Sequence, residues 1–137
     1  MSEKLFNVGI KAIVRRGNKL LVAHNTAGGG FWEVPGGRMD GNETIEEALL
    51  RELKEELPNI QNIQVGKLIG ATRIHKDIKP EVSLVLLFFV VNAEFAGGEP
   101  KLSDEHDEYR WLTKEEAIEV VYDKYKEVIS TFYLSLE

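Results

Sequence analysis

The apolar residues at the start of the chain follow the pattern of a β-hairpin. Leu5–Val14 and Lys19–His24 are rich in Val, Ile and Leu, and the turn-forming residues Arg16-Gly17-Asn18 lie between them. The hairpin is followed by a glycine-rich loop at Thr26–Gly30, a short extended segment at Phe31–Val34 and a break at Pro35-Gly36-Gly37.

Two apolar segments in the second half of the chain predict further strands. These strands cover residues 62–75 and 82–95, and a loop at Lys76–Pro80 separates them. Because Val82–Val91 is almost continuously apolar, we expect this strand to be buried on both faces of the sheet. The strands are followed by a polar loop over Ala96–Glu108 and a short strand at Tyr109–Trp111.

The last part of the chain predicts helices. Thr113 and Glu116 form a capping box, which opens a helix at about Lys114. Apolar residues at helical spacing indicate a final helix within Tyr122–Leu136. The order of strands, one helix, more strands and further helices is typical of an α/β fold in which helices pack against a mixed sheet.

The helix between the two groups of strands is predicted over residues 45–56 or 45–57. Thr44 and Glu47 form a capping box at its start, and Pro58 prevents its continuation. Glu46, in the first turn, is expected to reach solvent. At roughly 100° per residue, the core-facing side consists of Ile45, Leu49, Leu53 and Leu57, with Leu50 at its edge.

Three glutamates lie together beside that core-facing side. Glu52, Glu55 and Glu56 are spaced i, i+3 and i+4, and like charges at this spacing weaken an isolated helix by about 0.2–0.5 kcal/mol per pair. A divalent cation would reverse the effect, since Mg²⁺ takes oxygen ligands from carboxylates and phosphates. Gly36 and Gly37 allow the backbone to approach a ligand closely. Loop and helix together therefore favour a metal–diphosphate site over an ordinary solvated Glu-rich helix.

Composition and charge exclude several classes of protein. The 137 residues are 43% hydrophobic and 29% charged, which predicts one globular domain over residues 1–137. With 17 Lys and Arg against 23 Asp and Glu, the net charge of −6 offers no general attraction to nucleic acid or membrane. The lack of cysteine excludes disulfides, thiolate catalysis and cysteine-ligated zinc. The N-terminus lacks a signal-peptide pattern and Leu84–Val91 is too short to span a bilayer, so we expect a cytoplasmic protein.

The glycine pair and the acidic helix match the signature of the Nudix family. Gly37 is followed after five residues by Glu43, and after seven more by Arg51-Glu52-Leu53, Lys54 and Glu55-Glu56. The chain resembles a Nudix hydrolase at every chemically informative position of this signature. Phe31–Gly37 looks like the family's usual lead-in, and Asp104–Trp111 resembles its loop before the last strand. The resemblance implies the family's α/β/α sandwich with a central mixed β-sheet.

The end of the signature departs from the family pattern. Pro58 stands where the family usually has glycine, and Asn59 replaces the apolar residue that follows. We expect Ile60 to serve as that apolar residue. Because the missing glycine is a helix-ending residue, Pro58 should alter how the helix ends and not the metal site.

The resemblance also implies a reaction. The protein would hydrolyse a diphosphate linkage in a nucleoside diphosphate joined to another group, with water attacking phosphorus in line and Mg²⁺ or Mn²⁺ neutralising charge. Glu52 or Glu55 would orient or deprotonate the water, Arg51 would orient Glu52, and Glu43 would support this network. The implied metal ligands are Glu52, Glu55, Glu56, the Gly37 carbonyl and a late carboxylate, for which Glu105 is chosen over Asp104, Asp107 and Glu108.

The candidate substrate-binding residues are Arg38, Arg73 and Trp32. Arg38 meets either a phosphate or solvent, and Trp32, like Phe31 and Tyr109, either stacks on a base or packs in the core. His24 and His106 lack zinc-like spacing, and we expect them at the surface or in loops. The local cationic cluster, which either reaches substrate phosphates or is a solvated hairpin tip, consists of Arg73, His75, Lys76 and Lys79.

The substrate has several possible identities. A small nucleoside triphosphate pyrophosphohydrolase, with oxidised nucleotides among its candidate substrates, is favoured over hydrolysis of ADP-ribose, nucleotide sugars or dinucleoside polyphosphates. A nucleotide-binding module without turnover is disfavoured because all box carboxylates are kept, and an isoprenoid diphosphate isomerase because its site cysteine is missing. A homodimer is compatible with the family, although one sequence identifies no interface.

Overall fold

A computed structural model describes residues 5–79, 82–121 and 123–136, with side chains for all of these except 75–79. The helices are α1 Ile45–Glu56, α2 Lys114–Val120 and α3 Asp123–Leu134, and a 3₁₀ turn covers Ala27–Gly29. None of the helices in these ranges is long and apolar enough to cross a membrane. The strands are β1 Leu5–Arg16, β2 Lys19–Asn25, β3 Phe31–Glu33, β4 Gly36–Arg38, β5 Ile60–Lys79, β6 Val82–Phe95 and β7 His106–Leu112.

Strand β1 connects the two halves of a mixed seven-stranded sheet. It pairs in parallel with β6, whereas its pairings with β2 and β4 are antiparallel. Strand β5 pairs with β6, and β3 and β7 both pair with β2. The predicted mixed sheet is therefore confirmed.

Helices cover both faces of this sheet. Alternation along β1 sends Ile10, Ala12 and Val14 into the core under α1, and Ile13 into the core under α2 and α3. None of the residues in Val82–Val91 is exposed, because β6 contributes to both cores. These contacts confirm the predicted α/β/α sandwich and the burial of this strand on two faces.

Helix α1 begins and ends where the sequence predicts. The Thr44 hydroxyl accepts from the Glu47 amide at 3.1 Å, and the Glu47 carboxylate accepts from the Thr44 amide at 3.0 Å. Leu49, Leu53 and Leu57 are buried in the core. Ile45 is 42% exposed, so its prediction as a core residue is wrong, because the first turn extends beyond the packed part of the helix.

Asn59 organises the end of α1 after Pro58. Its side-chain amide donates to the carbonyls of Ala96 and Glu99 at 2.9 and 2.8 Å, and its side-chain oxygen accepts from the Lys101 amide at 2.8 Å. The Glu56 carbonyl accepts from the Ser103 amide at 3.1 Å. Ile60 is buried beside α1, as expected for the displaced apolar residue.

Several of the predicted strands and loops differ from the structure. Strand β5 continues to Lys79, so the loop predicted at Lys76–Pro80 is wrong over residues 76–79, where pairing with β6 extends the strand. Strand β7 begins at His106 and not at Tyr109, because its polar first residues pair with β2. Strand β4 was not predicted, since its two glycines have low strand propensity and are held in the sheet by pairing with β1. Tyr122 lies outside the described residues.

The contrast between Leu53 and Ile45 gives a test of the α1 packing. Leu53→Ala should lower the free energy of unfolding by about 2–5 kcal/mol, because it leaves a cavity at a site with 0% exposure. Ile45→Ala, on the same helix, should cost less than about 1 kcal/mol. Urea unfolding followed by circular dichroism measures both values, and equal losses would contradict the described packing.

Candidate metal and catalytic site

The paired glycines of β4 lie directly against the carboxylates of α1. Gly36 has a φ of +136°, and a side chain there would overlap the backbone of β1 at Ile10. The Gly36 amide donates to Glu56 Oε2 at 2.6 Å. A Cβ atom on Gly37 would lie 2.5 Å from the Glu52 carboxyl carbon. Glycine at position 36 therefore permits the pairing of β4 with β1, and glycine at position 37 leaves the Glu52 carboxylate in its present place.

The three stacked glutamates of α1 differ in exposure. Glu56 is buried, with only 4% of its surface exposed. Glu52 is half-buried, and the Glu55 side chain is largely exposed. The structure thus brings Gly37, Glu52 and Glu56 together. Glu55 lies on the same side of α1, which we call the α1 flank, but its side chain faces solvent.

Arg51 joins the helix to the loop that precedes it. Its guanidinium donates to Glu43 at 2.5 and 2.9 Å, to Glu52 Oε1 at 2.9 Å and to the Arg38 carbonyl at 3.1 Å. The hydrogen bonds from Arg51, helped by one from the Asp40 amide, lower the pKa of Glu43 to about 2. Glu43 is thereby kept as a carboxylate that holds Arg51 in place, while the roles of Arg51 and Glu43 in catalysis stay predictions.

Burial and mutual repulsion act on the carboxyl groups of Glu52 and Glu56. Burial raises the pKa of Glu52, and the charges of Glu55 and Glu105 add to the rise, while Arg51 opposes it. Burial raises the pKa of Glu56 to about 8, with Glu33 and Glu105 contributing and Lys11 and the Gly36 amide opposing. The nearby positive groups therefore do not fully offset the effects of burial and repulsion on the two pKa values. An added cation would stabilise the ionised forms of both carboxyl groups.

Glu105 is the late-loop carboxylate whose charge acts on this site. It repels both Glu52 and Glu56, whereas two of its competitors pair elsewhere. Asp107 lies 2.8 Å from the His24 ring, and Glu108 accepts from Arg110 at 3.0 Å. These contacts favour Glu105, and its role as a metal ligand stays a prediction.

His106 is a buried residue of the site, and its prediction as a surface or loop residue is wrong. Its Nε2 atom lies 2.9 Å from Glu33 Oε2 and 3.9 Å from Glu56 Oε1. Because Nε2 faces a carboxylate, that nitrogen carries the proton. The register of β7 shifts between the partners of His24 and Asn25, and this bulge turns His106 inward. Simple alternation along the strand therefore could not have found it.

Lys11 and Glu33 are two further site residues that were not predicted. Lys11 Nζ donates to Glu33 Oε1 at 3.0 Å, and both side chains are buried. Burial alone would raise the pKa of Glu33, but the hydrogen bond from His106, the charge of Lys11 and the hydrogen bond from Asn25 lower it to about 2. The available signal was a lysine between Ile10 and Ala12 in an otherwise apolar strand, which indicates a buried partner.

The predicted substrate-binding residues lie in three different environments. The Arg38 side chain is exposed directly after Gly37. Arg73 lies 5.0 Å over the Phe6 ring and donates to Ser83 at 3.3 Å. The Arg110 guanidinium lies 4.5 Å over Trp32, whose ring also contacts the His24 ring at 5.1 Å. Their substrate contacts stay predictions, and the side chains of His75, Lys76 and Lys79 lie outside the described residues.

Comparison with known proteins identifies the family. The NUDIX domain model matches residues 5–132, and the chain belongs to the Nudix family. It is 35% identical over 94 residues to an 8-oxo-dGTP diphosphatase of Proteus vulgaris, covering 66% of this chain and 80% of that protein. It is 28% identical over 121 residues to an ADP-ribose pyrophosphatase of Methanocaldococcus jannaschii, covering 87% and 69%.

A solved structure confirms the fold. The MutT protein from Methanosarcina mazei Go1 matches with a TM-score of 0.80 and 21% identity, covering 100% of this chain and 99% of that one. With the family shown, the protein is a pyrophosphohydrolase that acts on phosphoric anhydride bonds, and its Nudix homologues act on small nucleotide substrates. Nudix hydrolases generally use divalent metal ions.

The residues present fit such an ion. The α1 flank offers carboxylate oxygens from Glu52, Glu55 and Glu56, and hard divalent cations such as Mg²⁺ prefer oxygen ligands. Glycine at position 37 keeps this side of α1 open, because a Cβ atom there would overlap the Glu52 carboxylate. Burial and repulsion leave the carboxylates short of positive charge, which a cation supplies.

The close approach of Gly37 to Glu52 gives a test of the site. Gly37→Ala should lower kcat/KM for nucleotide hydrolysis by about 100-fold, because displacing a catalytic group by about 1 Å has an effect of this size. The Glu52 side chain can move aside, so the thermal midpoint should change little.

Gly41→Ala is the matched control for this substitution. Among the described residues, apart from Gly41 and its two chain neighbours, no atom lies within 4 Å of a Cβ at Gly41, so kcat/KM should stay at the wild-type value. Steady-state kinetics and thermal unfolding of both variants check these outcomes. Full activity of Gly37→Ala would show that the Glu52 carboxylate need not stay where the structure has it.

Proposed function

We propose that the protein is a Mg²⁺-dependent nucleoside triphosphate pyrophosphohydrolase, and that oxidised purine nucleotides such as 8-oxo-dGTP are its first candidate substrates. The observation that carries the proposal is the contact of the Gly37 backbone with a flank of three glutamates on α1. The relative from Proteus vulgaris, which is named for 8-oxo-dGTP, supports the choice of substrate.

The metal-binding part of the proposal uses oxygen atoms from three segments. Glu52, Glu55 and Glu56 come from α1, the carbonyl of Gly37 comes from β4, and Glu105 comes from the turn before β7. Mg²⁺ or Mn²⁺ bound there would neutralise charge on the phosphate oxygens and activate the attacking water. Burial and neighbouring negative charges raise the pKa of Glu52 and Glu56, and a bound cation would favour their ionised forms, which supports this assignment.

The water-activating base is one of two carboxylates. Glu52 is held by Arg51 at 2.9 Å, whereas Glu55 contacts the same guanidinium only at 3.4 Å and is largely exposed. Glu55 is therefore the freer group and the better candidate for orienting and deprotonating water. Arg51 then acts by fixing Glu52, through a network that also contains Glu43.

Substrate recognition is proposed for Arg38, Arg73 and Trp32. Arg38 follows Gly37 in sequence and is exposed, so its guanidinium can reach a phosphate bound beside the glycine pair. Arg73 carries a second positive charge, and Trp32 offers an aromatic ring for a base. Location in the cytoplasm and assembly as a homodimer stay predictions from the sequence.

ADP-ribose is the second candidate substrate. The relative from Methanocaldococcus jannaschii is named for it and aligns with 87% of this chain, although its identity is lower. Both substrates contain a diphosphate that the same carboxylates would engage. Nucleotide sugars and dinucleoside polyphosphates share this linkage, and a binding module without turnover is the alternative outside the enzyme class.

A nucleotide panel tests the proposal. Release of phosphate or pyrophosphate should require added Mg²⁺ and should be greatest with 8-oxo-dGTP or a related triphosphate. Greater release of AMP from ADP-ribose would move the assignment to the second candidate. A panel with no turnover in Mg²⁺ or Mn²⁺ would reject the substrate classes proposed here.

Glu55→Gln tests the proposed base. It should lower kcat by about 10²–10⁴-fold, the range for general acid–base catalysis, because an amide cannot accept the proton. Glu46→Gln is the control, since this residue is exposed in the first turn of the same helix and changes the charge equally. If both variants kept the wild-type kcat, Glu55 would not be the base.

A further inference from the structure

A chain of buried polar side chains lies behind the α1 carboxylates. It consists of Lys11 on β1, Glu33 on β3 and His106 on β7, and we call it the Lys11 chain. All three residues are at most 8% exposed. The chain links three strands of the sheet at the point where β4 and the end of α1 meet.

Both carboxylate oxygens of Glu33 already accept hydrogen bonds from neighbouring side chains. Its Oε1 accepts from Lys11 at 3.0 Å, and its Oε2 accepts from Asn25 and His106, each at 2.9 Å. Ligand atoms of Glu33, Glu56 and His106 lie within 4.8 Å of one another, a spacing that suits a metal ion. The Lys11 ammonium, however, already supplies a positive charge at Glu33 and would repel a second one.

The Lys11 chain reaches Glu56 by two routes. In the first, Lys11 Nζ donates to the Gly36 carbonyl at 3.4 Å, and the Gly36 amide donates to Glu56 Oε2 at 2.6 Å. In the second, Glu33 holds His106, whose Nε2 lies 3.9 Å from Glu56 Oε1. This last distance is too long for a hydrogen bond, so the imidazole lies beside Glu56 without donating to it. Both oxygens of Glu56 therefore have neighbours that the Lys11–Glu33 ion pair keeps in place.

We propose that Lys11 is a positioning residue for the Glu56 carboxylate, acting through Gly36 and through Glu33 and His106. The buried ion pair would hold the β4 backbone and the imidazole where Glu56 presents its carboxylate to a divalent ion. Groups behind a ligand typically change metal affinity or activity 10–100-fold when they are removed. This inference rests on the proposed function in one respect, namely that Glu56 binds the metal.

Direct charge repulsion between Lys11 and a bound cation predicts the opposite change in metal affinity when Lys11 is replaced. Removing a positive charge near a cation site lowers repulsion and should tighten metal binding. Loss of positioning should instead weaken it. Because Lys11 also helps to keep Glu56 ionised, its loss could weaken binding without any change of position, and a variant that keeps the local charge balance is needed to separate the two explanations.

The experiment measures Mn²⁺ binding without substrate, by titration followed with electron paramagnetic resonance of free Mn²⁺. Lys11→Met should raise the dissociation constant about 10-fold or more. Lys54→Met is the matched control, because it removes the same charge from an exposed position on α1 between the proposed ligands. It should leave the dissociation constant unchanged or lower it.

A second variant covers the case in which Lys11→Met does not fold. Lys11→Met combined with Glu33→Gln removes both members of the buried ion pair, so neither is left without its partner and the local charge balance is kept. Because the hydrogen bond to the Gly36 carbonyl is still missing, Mn²⁺ binding should remain about 10-fold weaker or more. Wild-type affinity in this double variant, or tighter binding in a folded Lys11→Met protein, would overturn the proposal.

Glu56→Gln distinguishes failure of this inference from failure of the proposed function. If Glu56 is a ligand, Glu56→Gln weakens Mn²⁺ binding whatever the Lys11 variants do. Unchanged binding in Glu56→Gln would reject both the ligand assignment and the positioning role that depends on it. Weakened binding in Glu56→Gln with wild-type binding in the double variant would reject the positioning role alone.

Discussion

The contact between the β4 backbone and the carboxylates of α1 is the constraint on which the rest of the site depends. Two adjacent residues without side chains allow a strand to lie against a row of glutamates, with the Gly36 amide on Glu56 and Gly37 next to Glu52. The pairing of β4 with β1 holds this backbone, and the core beneath α1 holds the helix. Sheet and helix packing thus place acceptor oxygens at one point, and the chemistry of a divalent ion follows from that placement.

Charge is distributed in layers around this contact. The outer layer pairs Arg51 with Glu43 and Glu52 near solvent, where the pairs mainly fix geometry. The inner layer pairs Lys11 with Glu33 out of water, where an unpaired partner would be strongly destabilising. The carboxyl groups of Glu52 and Glu56 lie between the two layers, where burial and neighbouring negative charges raise the pKa of both. A protein selected for stability alone would gain from neutral side chains there, so the arrangement indicates function.

The sequence allowed the architecture and the acidic flank to be predicted because both depend on local periodicity. Leu49 and Leu53 mark the buried side of α1, and Glu52, Glu55 and Glu56 follow from helical spacing alone. Lys11, Glu33 and His106 come together only after β1, β3 and β7 pair with their neighbours, and His106 turns inward at a bulge that no periodic rule contains. Gly36–Arg38 became a strand through pairing with β1, which local propensity could not reveal.

The hydrogen bonds at the end of α1 determine where the loop between β6 and β7 can be lengthened. Asn59 anchors the backbone at Ala96, Glu99 and Lys101, and the Glu56 carbonyl anchors Ser103, so the segment that leads to Glu105 is tied to the helix on both sides of Pro100. The turn at Gly97-Gly98 lies between the anchored residues Ala96 and Glu99 and is exposed. Insertions at that tip can therefore lengthen the loop without moving Glu105 relative to the helix, which makes the tip a natural place to graft a recognition element or a fluorescent label.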